Sequence, residues 1–259
     1  METIEAAEQK PKSTPFLHSL FGAPPTPGEP VVQRYSRTVR VLHWVNAVAW
    51  VVLIVTGLFL FVPQFGDAAV GGLSRLFHRI GAVVMVGWAL IYVVGDPRST
   101  WAGIKDAFKW GKCDLGWLVA AIPYYFFGKE ESTIRIRGFS RTIEMPPQHH
   151  MNTGQKLWWL FVLGGGALMI ITGALMWFFK DLISPGAFMW SAFFHDIGFI
   201  ILLVFAFVHV YLSVFHPKMR GIFWSMWGGT ISAEYASSHH KKWYDDVTEK
   251  EGSEPTKDE

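Results

Sequence analysis

The sequence predicts an all-α integral membrane protein, a four-helix bundle with a cytoplasmic interfacial segment. Three observations predict it. The 259 residues are 51% hydrophobic and only 17% charged, and the apolar residues gather in long runs free of charge. Four of those runs are long enough to cross a bilayer, which takes about 20 helical residues. Lysine and arginine collect in alternate connections between the runs, as multi-pass chains arrange them. The formal net charge of +2 is too small to point to nucleic acid.

Residues 1–33 are polar, carry Pro24, Pro25 and Pro27 close together, and hold no apolar core of signal-peptide length. They read as a disordered or extended tail. The membrane domain covers 34–220, with spans near 41–62, 76–95, 157–179 and 188–215, and 221–259 reads as a cytoplasmic C-terminal tail. A fifth apolar run, 115–127, is too short to cross. Pro123 interrupts it, and Tyr124, Tyr125, Phe126 and Phe127 suit the headgroup layer, so it is expected to lie in the interface.

Orientation follows from charge. Arg34, Arg37 and Arg40 precede the first span, and the connection between spans two and three carries nine basic residues from Arg98 to Lys156. Lys218, Arg220, Lys241 and Lys242 follow the fourth span. Arg75 and Arg79 flank the second span's start, and Lys180 alone lies between spans three and four. Both termini and the long connection are therefore expected in the cytoplasm of a bacterial inner membrane.

Cys113 is the only cysteine, which excludes an intrachain disulfide, an iron–sulfur cluster and a CxxCH haem attachment. Any redox cofactor must be held by other side chains. Four of the ten histidines, His43, His78, His195 and His209, fall in the spans, where an ionisable group is costly and points to function. His195 and His209 are 14 residues apart, about 21 Å along a helix and within about 40° of one direction. The alternating topology puts His43 at the depth of His209, and His78 at that of His195. Two stacked imidazole pairs, His43/His209 and His78/His195, are how a bundle would hold two b haems through both axial positions. Zinc or copper would need a tighter cluster. Gly57, Gly81, Gly87, Gly164 to Gly166, Gly173 and Gly198 supply small residues for a flat group or for close helix packing. Arg79 is the preferred candidate for a haem propionate, ahead of Arg40 and Lys156. His149, His150, His239 and His240 read as surface residues.

Four features resemble a known family: Arg40-Val41-Leu42-His43-Trp44, Asn152-Thr153-Gly154-Gln155-Lys156, the His195–His209 gap, and the tail 231–244 with its His-His-x-x-Trp-Tyr ending. Over residues 34–247 the chain resembles the gamma subunit, a dihaem cytochrome b, of respiratory membrane-bound formate dehydrogenases, related to nickel–iron hydrogenase b-type cytochromes. The resemblance implies the same two histidine pairs as haem ligands. It implies a quinone site, for menaquinone or ubiquinone, at Asn152, Gly154 and Gln155 beside the cytoplasmic-side haem. It further implies an iron–sulfur beta subunit and a molybdenum or tungsten catalytic alpha subunit as partners, with no dehydrogenase site on this chain. Alternatives are the cytochrome b of a hydrogenase or another quinone-linked enzyme, a haem-free proton-relay transporter, and a passive anchor.

Overall fold

The computed structural model describes residues 21–65, 72–128, 131–136, 139–219 and 221–253. Residues 1–20, most of the expected N-terminal tail, and Arg220, one of the basic residues that set the expected orientation, lie outside the described residues.

In chain order the elements are β1 (Val31–Gln33), α1 (Arg37–Phe61), α2 (Leu73–Gly95), α3 (Pro97–Phe108), α4 (Lys112–Phe127), β2 (Glu131–Ile136) and β3 (Phe139–Glu144). They continue with α5 (Thr153–Trp177), α6 (Pro185–Val210), a π turn (Tyr211–Phe215), α7 (Gly221–Gly228), β4 (Thr230–Ser232), α8 (Ala233–His239) and α9 (Lys241–Ser253). Helices α1, α2, α5, and α6 with its π turn are long and apolar enough to cross a membrane. The fold is the all-α bundle that composition predicts.

The spans begin three or four residues before their expected edges: in three of them a polar cap, rather than hydropathy, starts the helix, and α2 starts at Gly72 without a side-chain cap. Ser36 Oγ accepts from Val39 N–H at 3.3 Å, Asn152 Oδ1 from Gln155 N–H at 2.9 Å, and Ser184 Oγ from Ala187 N–H at 3.2 Å. Helices α1 and α2 form one hairpin, α5 and α6 a second, and contact between the hairpins, α1 on α6, is slight. Within each hairpin, glycine lets the backbones close up. A Cβ at Gly81 would come within 3.2 Å of Leu53, and one at Gly165 within 2.7 Å of Leu202.

A polar layer caps the end where α1 and α5 begin. The run expected at the interface is the 16-residue helix α4, with Pro123 inside it and Gly128 ending it at φ 66°. It is anchored by a buried ion pair. Lys156 Nζ lies 2.8 Å from Asp114 Oδ1, which also accepts from the Thr153 hydroxyl at 2.8 Å. At its far end, His216 Nε2–H donates to Tyr125 O at 2.9 Å.

Two expectations change here. Residues 31–33 are not a loose tail: β1 pairs antiparallel with β4, Val31 opposite Ser232 and Gln33 opposite Thr230. Residues 221–253 are folded onto the same layer. His240 is fully buried rather than a surface residue, and its Nδ1–H donates to His149 O at 2.8 Å. His150 is half-buried, whereas His149 is exposed. Arg34, 6% exposed, donates through Nη2 to His150 O and lies over the Trp243 ring. Side chains that read as polar locally are buried by contacts more than 90 residues away.

Candidate functional site

Two imidazole pairs face each other across the seam between the hairpins. His78 of α2 and His195 of α6 have ring centroids 6.3 Å apart. His43 of α1 and His209 of α6 have theirs 6.4 Å apart. Helix α6 supplies one ring to each pair, at two levels set by its rise.

At the first pair, Thr56 Oγ1 on α1 lies 2.9 Å from His78 Nδ1, and Thr172 Oγ1 on α5 lies 2.8 Å from His195 Nδ1. Gly57 and Gly173 follow in sequence, and a Cβ there would sit 3.6 Å and 3.4 Å from the Cε1 atoms of the same two rings. At the second pair, the His209 ring stacks on Trp158 with centroids 4.5 Å apart and planes 9° from parallel. His43 stands edge-on to Trp44, and its buried Nδ1 has no hydrogen-bond partner among the described residues. The π turn starts two residues after His209, and the Ser213 hydroxyl donates to the His209 carbonyl.

The pair spacings fit an iron between the rings. A metal-bound imidazole nitrogen lies about 2.0 Å from the metal and about 1.1 Å from its ring centre, so two rings on one iron stand about 6.2 Å apart. Both pairs match that distance. The hairpin backbones approach each other at few points along the seam, and side chains rather than backbone span it, as Trp50 does against Trp158 and Phe61 against Phe199.

The Asn152-Thr153-Gly154-Gln155 run opens α5 as a capping box. Asn152 Oδ1 accepts from Gln155 N–H, and Gln155 Oε1 accepts from Asn152 N–H at 3.0 Å. The two acceptors are spent on the cap, which leaves the side-chain NH2 groups as donors. A Cβ at Gly154 would meet the Trp117 ring at 2.9 Å, so this glycine makes room for α4. Trp158 lies one turn beyond Gln155 and links this run to the His209 ring.

The other candidates are placed elsewhere. The Arg79 guanidinium lies over the Trp177 ring, 4.9 Å from its centroid. Arg40 Nη1 donates to Trp227 O at 2.6 Å. Lys156 is committed to Asp114 and to Lys109 O, both at 2.8 Å, because α4 seats a carboxylate beside it.

The family model of prokaryotic cytochrome b561 matches residues 34–229, most of the chain and all four spans. The chain belongs to that family. Its relatives include the formate dehydrogenase cytochrome b556(fdo) subunit of Escherichia coli K12, 23% identical over 223 residues, which are 83% of this chain and 93% of that protein. The nitrate-inducible formate dehydrogenase cytochrome b556(Fdn) subunit of the same strain is 21% identical over 229 residues, 85% of this chain and 93% of that protein. A probable Ni/Fe-hydrogenase B-type cytochrome subunit of Rhodobacter capsulatus is 27% identical over 205 residues, 70% of this chain and 72% of that protein.

As a prokaryotic cytochrome b561, the chain is a multi-pass membrane cytochrome of the b type. Sequence reasoning missed Thr56 and Thr172. A threonine in a membrane helix reads as a hydroxyl bonded to its own helix, which each of these also is. A signal was present: on each hairpin's first helix a Thr-Gly deep in the apolar run, apart from the Thr153-Gly154 that opens α5, lies 22 and 23 residues before a histidine on the second.

Proposed function

We propose that this cytochrome is the membrane subunit of a respiratory dehydrogenase of the formate dehydrogenase type, holding two b haems and serving a quinone. The spacing of the two imidazole pairs, 6.3 and 6.4 Å, carries the reading. His78 and His195 would hold one iron, and His43 and His209 the other. Two imidazoles on each iron would leave no coordination site open to oxygen, which suits electron transfer. When bound, the haems supply one-electron steps across the membrane between an external donor and quinone.

The chain's own residues do the rest. The NH2 groups of Asn152 and Gln155 donate to a quinone carbonyl at the mouth of α5, and Gly154 lets Trp117 close in behind them. Trp158 bridges this mouth to the His209 ring. The two termini and the 96–151 connection face the cytoplasm, where water supplies the protons that quinone takes up. Arg79 at the opposite surface remains the candidate for a propionate. The names of the relatives support association with the other subunits of a formate dehydrogenase; an iron–sulfur beta subunit and a molybdenum or tungsten alpha subunit in the bacterial inner membrane are the partners that the sequence resemblance implies. The Rhodobacter relative supports a hydrogenase complex as the second reading.

The test is made on the complex isolated with its natural partners. Formate should bleach quinone and reduce the haem bands, whereas reduction by hydrogen alone would favour the second reading. His209→Ala should lower quinone reduction at least about 100-fold, with dye-linked dehydrogenase activity unchanged. Retained quinone reduction in that variant would leave the chain a passive anchor.

A further inference from the structure

The His78/His195 pair is held by a symmetric device that the His43/His209 pair lacks. Thr56 Oγ1 lies 2.6 Å from Val52 O, and Thr172 Oγ1 lies 2.7 Å from Leu168 O. A hydroxyl has one proton, and these carbonyls, which can only accept, take it. The remaining contacts, 2.9 Å to His78 Nδ1 and 2.8 Å to His195 Nδ1, therefore need the imidazole to donate. Both rings are then Nδ1–H tautomers, and each presents its Nε2 lone pair.

The following glycines close the seat. A Cβ at Gly57 or Gly173 would stand in van der Waals contact with His78 Cε1 or His195 Cε1, at 3.6 and 3.4 Å, so Thr-Gly sets one hydrogen bond and one small residue beside each ring. The other pair is built differently: His43 Nδ1 is buried without a partner among the described residues, and His209 is held by stacking on Trp158.

We infer that Thr56 and Thr172 are positioning residues that fix the tautomer and raise the basicity of both imidazoles at one of the two haems, and so lower that haem's reduction potential relative to the same site without them. The inference rests on the dihaem reading. An imidazole that donates through its far nitrogen gives more electron density to its metal, and such outer partners typically change metal affinity 10- to 100-fold. More density favours ferric over ferrous iron.

The test compares the partnered complex carrying T56V, T172V or both with the matching serine variants. Valine keeps the branched shape and removes the acceptor; serine keeps the acceptor. Redox titration followed by visible spectra and ferric low-spin EPR should show one transition raised in the double valine variant, by about tenfold in its reduction equilibrium, or about 59 mV for one electron. The second transition should stay in place, and serine should restore the first. Loss of one haem in the valine variants, restored by serine, also supports the assignment. Unmoved transitions, equal movement of both, loss of both haems, or a loss that serine does not restore would overturn it. A wild-type complex without haem would instead remove the dihaem reading beneath it.

Discussion

At the scale of single residues, the molecule places polar side chains where an apolar surrounding makes each one consequential. Asp114 and Lys156 show this most directly, at 6% and 4% exposure. Burial pushes the Asp114 carboxyl up, but hydrogen bonds from Lys156, Thr153 and Gly111 N–H, with the Lys156 charge, outweigh it and hold it below the ordinary carboxylate value. Removing one partner of such a pair leaves an uncompensated charge, worth about 3 kcal/mol. Asp114→Ala should therefore lower thermal stability in detergent by that order, and Asp114→Asn, which keeps an acceptor, by less. Equal melting of wild type and Asp114→Ala would show the pair to be a bystander. The intramembrane histidines stood out in the sequence because a polar ring in hydrocarbon needs a reason. Thr56 and Thr172 did not, since their hydroxyls satisfy themselves on their own helix and only packing shows the second contact.

At the scale of elements, hydropathy shows the four spans and their order, because each needs a long apolar run whatever it packs against. The polar cap is illegible for the opposite reason: α8 and α9 carry few large apolar residues, and their place is set by the β1–β4 ladder and by the burial of His240 against residue 149. The cap carries its own pH dependence. Burial first, and then the Arg34 charge, lower His150 to about 4 from its ordinary 6.5, while its bond to Arg34 O and the more distant Asp106 pull weakly the other way. Burial and Arg34, with smaller opposition from the His149 carbonyl, also hold His240 well below 6.5. A histidine whose folded value is depressed favours the fold fully above 6.5, and that contribution is lost as pH falls from 6.5 toward about 4. Protection of the α8 and α9 amides against hydrogen exchange, taken relative to the intrinsic rate at each pH, should fall between pH 7 and 5, and less so in His150→Gln. Protection that falls no more steeply in wild type than in the variant would remove this coupling.

At the scale of the whole molecule, two helical hairpins meet along a sparse seam, and α6 contributes one ring to each level of it. The first helix of each hairpin carries Thr-Gly, and the second carries the ring that Thr-Gly holds, so the hairpins are variations on one arrangement. The other level departs from that symmetry, with a stacked tryptophan in place of the threonines, and it adjoins the capped start of α5. Such asymmetry gives the two imidazole pairs different surroundings. The measurement that bears most directly on the account is the haem content of the purified complex by pyridine haemochrome, for wild type and for His43→Ala, His78→Ala, His195→Ala and His209→Ala. The account predicts two b haems per chain, falling to one in each variant, with the same spectral component lost in His43→Ala and His209→Ala and the other lost in His78→Ala and His195→Ala. A wild-type chain with no haem, or a content untouched by all four substitutions, would contradict it.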